Sequence, residues 1–339
     1  MILKSLGEFG LIEAIEKWVT HAPSGVVVGI GDDAAVLEGG GDRRFLMTAD
    51  AFVEGVHFDL RYATPWQIGW KCMVANLSDI AAMGGEPGPA TVSICLPGSL
   101  RAAHVEGLYR GMDAAARPFG SSIVGGDTTS IPDRIVIAIS MIGSVRKDRA
   151  VLRRGARVGD LICVTGDLGS SQAGLDLVRK AVASGTSDLL RRFPRTVKRH
   201  LEPTPRIWAS RALSEAVRLH AMIDISDGLS SEINHLCARS RVGARIFLDR
   251  IPIAPETREA AEVLFLKPVL DYALSGGEEF ELLFTLSSSD RSAAESAVRK
   301  SEGVETTVIG EIVEAQEGVR AVGAGGAQWK LRSEGYSHF

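Results

Sequence analysis

Six acid-and-glycine turns hold the side chains of this 339-residue chain best suited to chemistry: GIGDDAAVL (29–37), TADAFVEGVHF (48–58), NLSDIAAMGGEP (76–87), GGDTTS (125–130), DISDGLSSE (224–232) and SGGEEFELLF (275–284). One such turn has an ordinary explanation, because Asp and Gly build turns and Asp caps helices. The set asks for more. Mg²⁺ takes oxygen ligands in near-octahedral geometry and is held by one or two carboxylates together with phosphates and waters, so several ions around a nucleotide need Asp residues from separate loops. Asp32, Asp33, Asp50, Asp79, Asp127, Asp224 and Asp227 supply that inventory. Without cations, so many clustered anions would repel one another and raise each other's pKa. Asp79 is the least expected, because it interrupts an otherwise apolar helical run, WKCMVANLSDIAAMGG, where an acid is ordinarily just solvated.

Glycine supplies the complementary half, since backbone N–H groups reach a phosphate only where no side chain intervenes. Gly125 and Gly126 precede Asp127 in this way, and Gly166 and Gly169 open a helix whose N-terminus suits an anion. Neither G-x-x-x-x-G-K-[ST] nor a strand-to-helix G-x-G-x-x-G is present. Also missing are a G-x-S-x-G elbow, an H-E-x-x-H helix and a Cys–His pairing, and the seven histidines do not cluster. Phosphoryl transfer tolerates these absences, because it needs positioning and charge neutralisation more than a protein nucleophile. His57, just after an acidic loop, is placed to touch a substrate.

The elements that must position these groups are legible in outline. An amphipathic helix opens the chain, and VVVGIG and RFLMTAD read as strands ending in acids. A helix is expected over 65–83 with Pro65 in its first turn, then the strand ATVSICLP, a helix over 100–119 and the strand IVIAISMIG. The polar, Gly-bearing RKDRAVLRRGARVGD reads as an interdomain connection, with the boundary near 150. Beyond it, LICVTG, AMIDIS, RIFLD, ELLFTL and TTVIGEI read as strands, and helices are expected after GDLG and over 230–240 and 290–300. Two domains result, 1–150 and 151–339, the first α+β and the second α/β. Six basic residues between 191 and 206 read as a solvated face with no assigned role.

Composition sets the bounds. A net charge of −4 argues against nucleic-acid binding, which needs a basic face. Cys72, Cys95, Cys163 and Cys237 are far apart, with no zinc or disulfide pattern, and suit a reducing compartment. The opening MILKSLGEFGLIEAIEKWV carries acids through its apolar stretch and fails as a signal peptide, and no apolar run approaches the ~18–20 residues of a membrane span. A cytoplasmic, membrane-free protein is expected.

In this order, GIGDDAAVL, NLSDIAAMGG, GGDTTS, DISDGL and SGGEEFEL resemble the thiamine-monophosphate kinase family, within the superfamily of aminoimidazole ribonucleotide synthetase, selenophosphate synthetase and the hydrogenase maturation dehydratase. The resemblance runs from Gly7-Glu8-Phe9 to GYSHF. It implies an aminoimidazole ribonucleotide synthetase-like fold whose N-terminal domain pairs with that of a second subunit into a β-barrel, and hence a homodimer. It implies transfer of a phosphoryl group from ATP directly, in line, to thiamine monophosphate, with several Mg²⁺ ions; K⁺ stands as a further candidate ion. Matching motifs make Asp33, Thr48, Ala49, Asp50, Asp79, Asp127, Asp224 and Asp227 the metal ligands. Ala49 departs from the Thr common there and leaves only a backbone carbonyl, while Asp32 is left as a turn residue. Nucleotide contacts fall on Tyr109, Gly126, Asp127, Arg153 and Ser226, with Arg153 opposing phosphate charge. Substrate contacts fall on His57, Glu279 and Tyr336, the last stacking on a cationic thiazolium.

The alternatives are a superfamily enzyme with another acceptor, a non-catalytic Mg-nucleotide binder and a metal-dependent phosphatase. A hydrogenase maturation enzyme needs a C-terminal cysteine and a selenophosphate synthetase a reactive one near the start, yet none follows Cys237 or precedes Cys72. Products separate the rest.

Overall fold

A computed structural model describes residues 3–19, 21, 23–336 and 338. The first part of the chain runs α1 (Leu3–Trp18), β1 (Val26–Val28), β2 (Ala35–Glu38), β3 (Arg43–Val53), α2 (Pro65–Ala82), β4 (Glu86–Leu96), α3 (Ala102–Ala116), β5 (Ser122–Ser130) and β6 (Val136–Arg146). Its strands make one open sheet in the order β1-β2-β3-β6-β4-β5, antiparallel throughout except for the parallel β4–β5 pair. Leu46, Thr48 and Phe52 of β3 point inward, and the alternation turns Phe45, Met47 and Ala49 to the outer face.

Against the inner face lies α2, and its sequence explains its start. Thr64 accepts from the Gln67 amide while the Gln67 side chain accepts from the Thr64 N–H, a reciprocal cap, and Pro65 fits the first turn. Burial continues almost all round the helix from Ile68 to Ala82, because α3 covers the side away from the sheet. The two helices cross at glycines. A Cβ on Gly69 would stand 1.9 Å from the Leu108 carbonyl oxygen, and one on Gly111 equally close to that of Trp66.

After the connection come β7 (Leu161–Thr165), α4 (Ser170–Ser184), α5 (Asp188–Arg192), α6 (Pro194–Leu201), α7 (Ile207–Ala216), β8 (Ala221–Asp224), α8 (Leu229–Ser240) and β9 (Gly243–Phe247). Then follow α9 (Pro255–Leu264), α10 (Val269–Ser275), β10 (Leu282–Leu286), α11 (Arg291–Glu302), β11 (Thr306–Val313), β12 (Val319–Val322) and β13 (Gln328–Lys330). The second sheet has the order β13-β12-β9-β11-β7-β10-β8. Its β12–β9 pair is parallel and its other pairs are antiparallel. The expected α/β character is therefore corrected to a mixed, largely antiparallel sheet: β10 is inserted between β7 and β8 and runs against both.

Other departures have local causes. GGDTTS, expected as a turn, is the body of edge strand β5, where glycines and hydroxyls suffice because no layer packs over most of it. AVLE after the first acidic turn is β2, too short for its alternation to register. The basic run at 191–206 is not simply a solvated face. It includes α6 and leads into α7, with Arg206 buried against Glu281 at 2.5 Å and Glu302 at 3.2 Å, and with Arg199 half-buried, 2.8 Å from Glu281. The four thiols are unpaired.

Candidate metal and phosphate site

Three carboxylates meet where the end of α2 reaches β8. Asp33 leaves the turn between β1 and β2, Asp79 lies on the last turn of α2, and Asp224 ends β8; one oxygen from each lies within 4.8 Å of the other two. The inner face of β3 adds Thr48, whose hydroxyl donates to Asp79, and half-buried Asp50. Ser78, next to Asp79, donates across the lobes to Asp224 Oδ2 at 2.6 Å. Asp227 follows one turn later, its amide held by the buried Glu232 carboxylate at 2.9 Å, and the Ser226 hydroxyl reaches the same oxygen at 3.5 Å.

The electrostatics are those of anions forced together. Burial and then Asp33 push Asp50 up to about 6 and Asp224 up to about 8. Asp79 is raised well above the carboxylate range by burial and by Asp50, Asp224 and Asp33, with Thr48 pulling the other way. Asp227 is raised to about 7 by burial and the Glu8 carboxylate. Arg153 relieves part of this charge by donating from Nη2 and Nε to Asp33 Oδ1 at 2.5 and 3.1 Å, while Asp33 Oδ2 is buried with no hydrogen-bond partner. An orphaned carboxylate oxygen among three more carboxylates and a hydroxyl is a set of hard oxygen donors facing inward, and it fits a hard divalent cation. Asp32 stays outside the cluster and accepts from the Arg153 amide at 3.0 Å, which ties the first acidic turn to the interlobe segment.

The remaining expected nucleotide residues form a separate group. Asp50 pairs with Ile139, Ile139 with Val92 and Val92 with Gly126, so Gly126 shares a cross-strand row with Asp50 but lies three strands away, about 14 Å at ordinary strand spacing. Asp127 is next along β5, in register with Ser93 and on the outer face. Tyr109, on α3 behind β5, is part-buried, and burial raises its phenol. Gly126 has a steric reason to be glycine, since a Cβ there would stand 1.8 Å from the Val92 carbonyl oxygen. Ala49 also faces outward, away from Thr48 and Asp50, so a longer side chain at that position would not reach the inner cluster.

Beside the acids lies a group of rings and charged side chains that sequence reading only half identified. His57 is there, its imidazole depressed by burial and by His338, with ring centroids 5.1 Å apart, and Tyr336 packs edge-on against His338. The Tyr336 amide donates to the Asp227 carbonyl at 3.0 Å, which lays Gly335 and Tyr336 against the second-lobe acids. Glu279 is elsewhere. It is 1% exposed, accepts from the Ser171 amide at 2.9 Å and pairs with Arg199 at 3.4 Å, with burial raising it to about 8. Its neighbour Glu278 is part-exposed, close enough to act on His57 and Tyr336, and pairs at 2.8 Å with Lys71 of α2, a lysine 4% exposed that also lies 3.3 Å from His200 Nε2. Glu278 holds φ at 59° and Phe280 at 53°, a conformation disfavoured outside glycine, stabilised by their amides donating to the Ser226 and Ile225 carbonyls at 2.6 and 2.9 Å. Sequence reading passed over Lys71; the available signal was a second charge, besides Asp79, inside one apolar run.

Models of known families match nearly the whole of this arrangement: the AIR synthase related protein N-terminal domain over residues 31–145 and its C-terminal domain over 157–323. The thiamine-monophosphate kinase of Aquifex aeolicus (strain VF5) is 36% identical over 339 residues, covering 100% of both chains. The chain belongs to the thiamine-monophosphate kinase family. The Bacillus subtilis (strain 168) member is 34% identical over 335 residues, 98% of this chain and 100% of its own. A solved structure described as AaThiL complexed with AMPPCP and TMP superposes with a TM-score of 0.85 at 34% identity, covering 100% of this chain and 99% of that one. The family's two-domain fold and kinase activity therefore apply here. Among the described residues no helix is long and apolar enough to cross a membrane.

Proposed function

We propose that the chain phosphorylates thiamine monophosphate to thiamine diphosphate at the expense of ATP, by direct in-line transfer. The observation that carries this is the inward-facing cluster of Asp33, Asp79 and Asp224 with the orphaned Asp33 oxygen, in a member of a kinase family with a relative solved with AMPPCP and TMP. Asp33, Asp50, Asp79, Asp224 and Asp227, with Thr48, would hold Mg²⁺, which neutralises phosphate charge as the transfer proceeds. An oxygen of the acceptor's phosphate monoester bonds to the γ-phosphorus as the bond from that phosphorus to the bridging oxygen breaks, and ADP leaves. That attacking oxygen is already anionic at neutral pH, so the protein needs neither a general base nor a nucleophile. Arg153 brings a guanidinium to phosphoryl oxygens, and Ser226 a hydroxyl. The test is phosphorus NMR of protein, Mg-ATP and thiamine monophosphate: ADP and thiamine diphosphate should appear in equal amounts, and free phosphate alone would overturn the reading.

On the acceptor side, His57 and Tyr336 flank the substrate, and the carboxylate meeting its cationic ring is Glu278, because Glu279 lies beneath the surface. Glu278→Gln should raise KM for thiamine monophosphate about 10–100-fold, the worth of a charge-assisted hydrogen bond, and leave KM for ATP nearly unchanged. Parallel rises in both would refute the assignment.

We also infer a homodimer in which the first sheets of two copies pair into a barrel. Phe45, Met47, Val124 and Ile142 are exposed on or beside its outer face, and Gly126 and Asp127 lie too far from Asp50 to share an ion or a phosphate with it within one chain. Tyr109, Gly126 and Asp127 of one copy would then complete the site of the other. Mixing inactive Asp79→Asn and Asp127→Asn chains should restore about a quarter of wild-type turnover, since half the twofold dimers are mixed and carry one intact site of two. No restoration on subunit exchange would place both residues in one site. The domain boundary is taken at residue 150, and the unpaired thiols suit a cytoplasmic location.

A further inference from the structure

The segment joining the lobes has two sides. One carries Arg153 onto Asp33; the other walls a separate cleft of about 530 Å³. Arg149, Arg154 and Arg157 of the segment line it, with Arg218 just past α7 and Arg239 and Arg241 at the end of α8; Asp148 is the single acid among its lining residues. Asp148 is already engaged by Arg146 at 3.4 Å and Arg149 at 3.7 Å. Arg239 has Glu16 at 3.8 Å. The guanidinium groups of Arg154, Arg157, Arg218 and Arg241 make no hydrogen bond or ion pair among the described residues.

Their convergence on one cleft is what sets them apart. Elsewhere on the surface many arginines pair with neighbouring acids, as in Arg61–Asp59, Arg117–Asp113, Arg191–Asp188 and Arg299–Glu305, and those without such a partner among the described residues, Arg101, Arg179, Arg195 and Arg332, line no cleft with the four. Helix dipoles explain part of the cluster, because α7 and α8 end here and cations favour C-termini. They do not explain Arg154 and Arg157, which lie on the connection. Nor do they explain Arg241, at φ 58°, a left-handed position that glycine or asparagine fills more easily. Val151, Val217 and Leu219 give the cleft an apolar wall. Its volume falls in the range of small-molecule sites. Convergent unpaired guanidiniums are the usual partners of phosphoryl oxygens.

We propose that this cleft binds a small phosphorylated anion with two or more phosphoryl groups, separately from the catalytic nucleotide. The probe is inorganic tripolyphosphate, titrated calorimetrically into metal-free protein in EDTA, where the uncompensated acid cluster repels polyanions and leaves the cleft as the site observed. One saturable site per chain is expected, weakening as salt rises. An Arg154→Gln/Arg218→Gln/Arg241→Gln variant should lose at least about tenfold in affinity, the worth of one charge-assisted contact, with thermal stability and turnover kept because these side chains are exposed. Arg153→Gln should bind tripolyphosphate as the wild type does. The proposal is overturned if no saturable binding is seen, if the triple variant binds unchanged, or if Arg153→Gln alone abolishes binding.

Discussion

Replacing Asp224 with Asn is expected to lower phosphotransfer about 10²–10³-fold, the loss typical of removing one preorganised charge-stabilising group, while raising the melting temperature of the metal-free protein at pH 8. The two effects have one cause. Burial and Asp33 lift this carboxyl from 3.8 to about 8, so between those values the folded protein binds a proton that the unfolded chain has released. A group raised on folding stabilises most below its unfolded value, and that contribution is lost as pH rises through the folded one. The metal-free wild type should therefore melt progressively lower from about pH 4 to pH 8. The Asn variant should show a shallower slope, and added Mg²⁺ should stabilise the wild type more than the variant. Calorimetric melts across that range in EDTA check this. A variant that is less stable at pH 8, or that keeps full turnover, would remove Asp224 from the ion-holding set.

Glu281→Gln should have the largest effect on stability: about 3–5 kcal/mol, the range for breaking a buried ion pair by removing one partner, or a fall of about 4–7 °C in Tm for a chain of 339 residues. Glu281 is fully buried. Burial pushes its carboxyl up, and Arg206 and Arg199 more than reverse this, holding it below the ordinary glutamate range. Arg206 donates to both its oxygens at 2.5 and 2.6 Å, Arg199 to one at 2.8 Å and Thr165 to the other at 2.6 Å. Gln would leave two guanidiniums short of charge in a site closed to water. Thermal melts decide it, and a drop of a degree or two would show that Glu302 and water take over the arginines.

The inner acid cluster was legible in sequence because each member ends a strand or breaks an apolar run: Asp33 after GIGD, Asp79 at the end of WKCMVANLSD, Asp224 at the end of AMID. Their convergence was not, since nothing local says that Ser78 will meet Asp224 from 146 positions away. The choice between Glu278 and Glu279 was equally closed to sequence, because adjacent acids differ only in which way the backbone turns them, and two left-handed residues set that turn. Arg199 and Arg206 were read as solvated because their partner Glu281 is remote in sequence and buried just before the apolar strand β10. The separation of Asp127 from Asp50 followed from strand order, which depends on β6 returning between β3 and β4.

The bonds that lace the two lobes together also order events in time. Ser78 reaches Asp224 across 146 positions, and Lys71 reaches Glu278 across 207. Such long-range contacts form late, after the loop-closure entropy of the intervening chain has been overcome. The first lobe can thus pack α2 against its sheet with Asp79 still open to water, which screens its repulsion from Asp33 and Asp50 of the same lobe. The burial of these acids and the added charge of Asp224 come only when the second lobe docks. Completion of the acid cluster is consequently a late folding step, and, under the proposed function, divalent ions present at that moment would speed the docking.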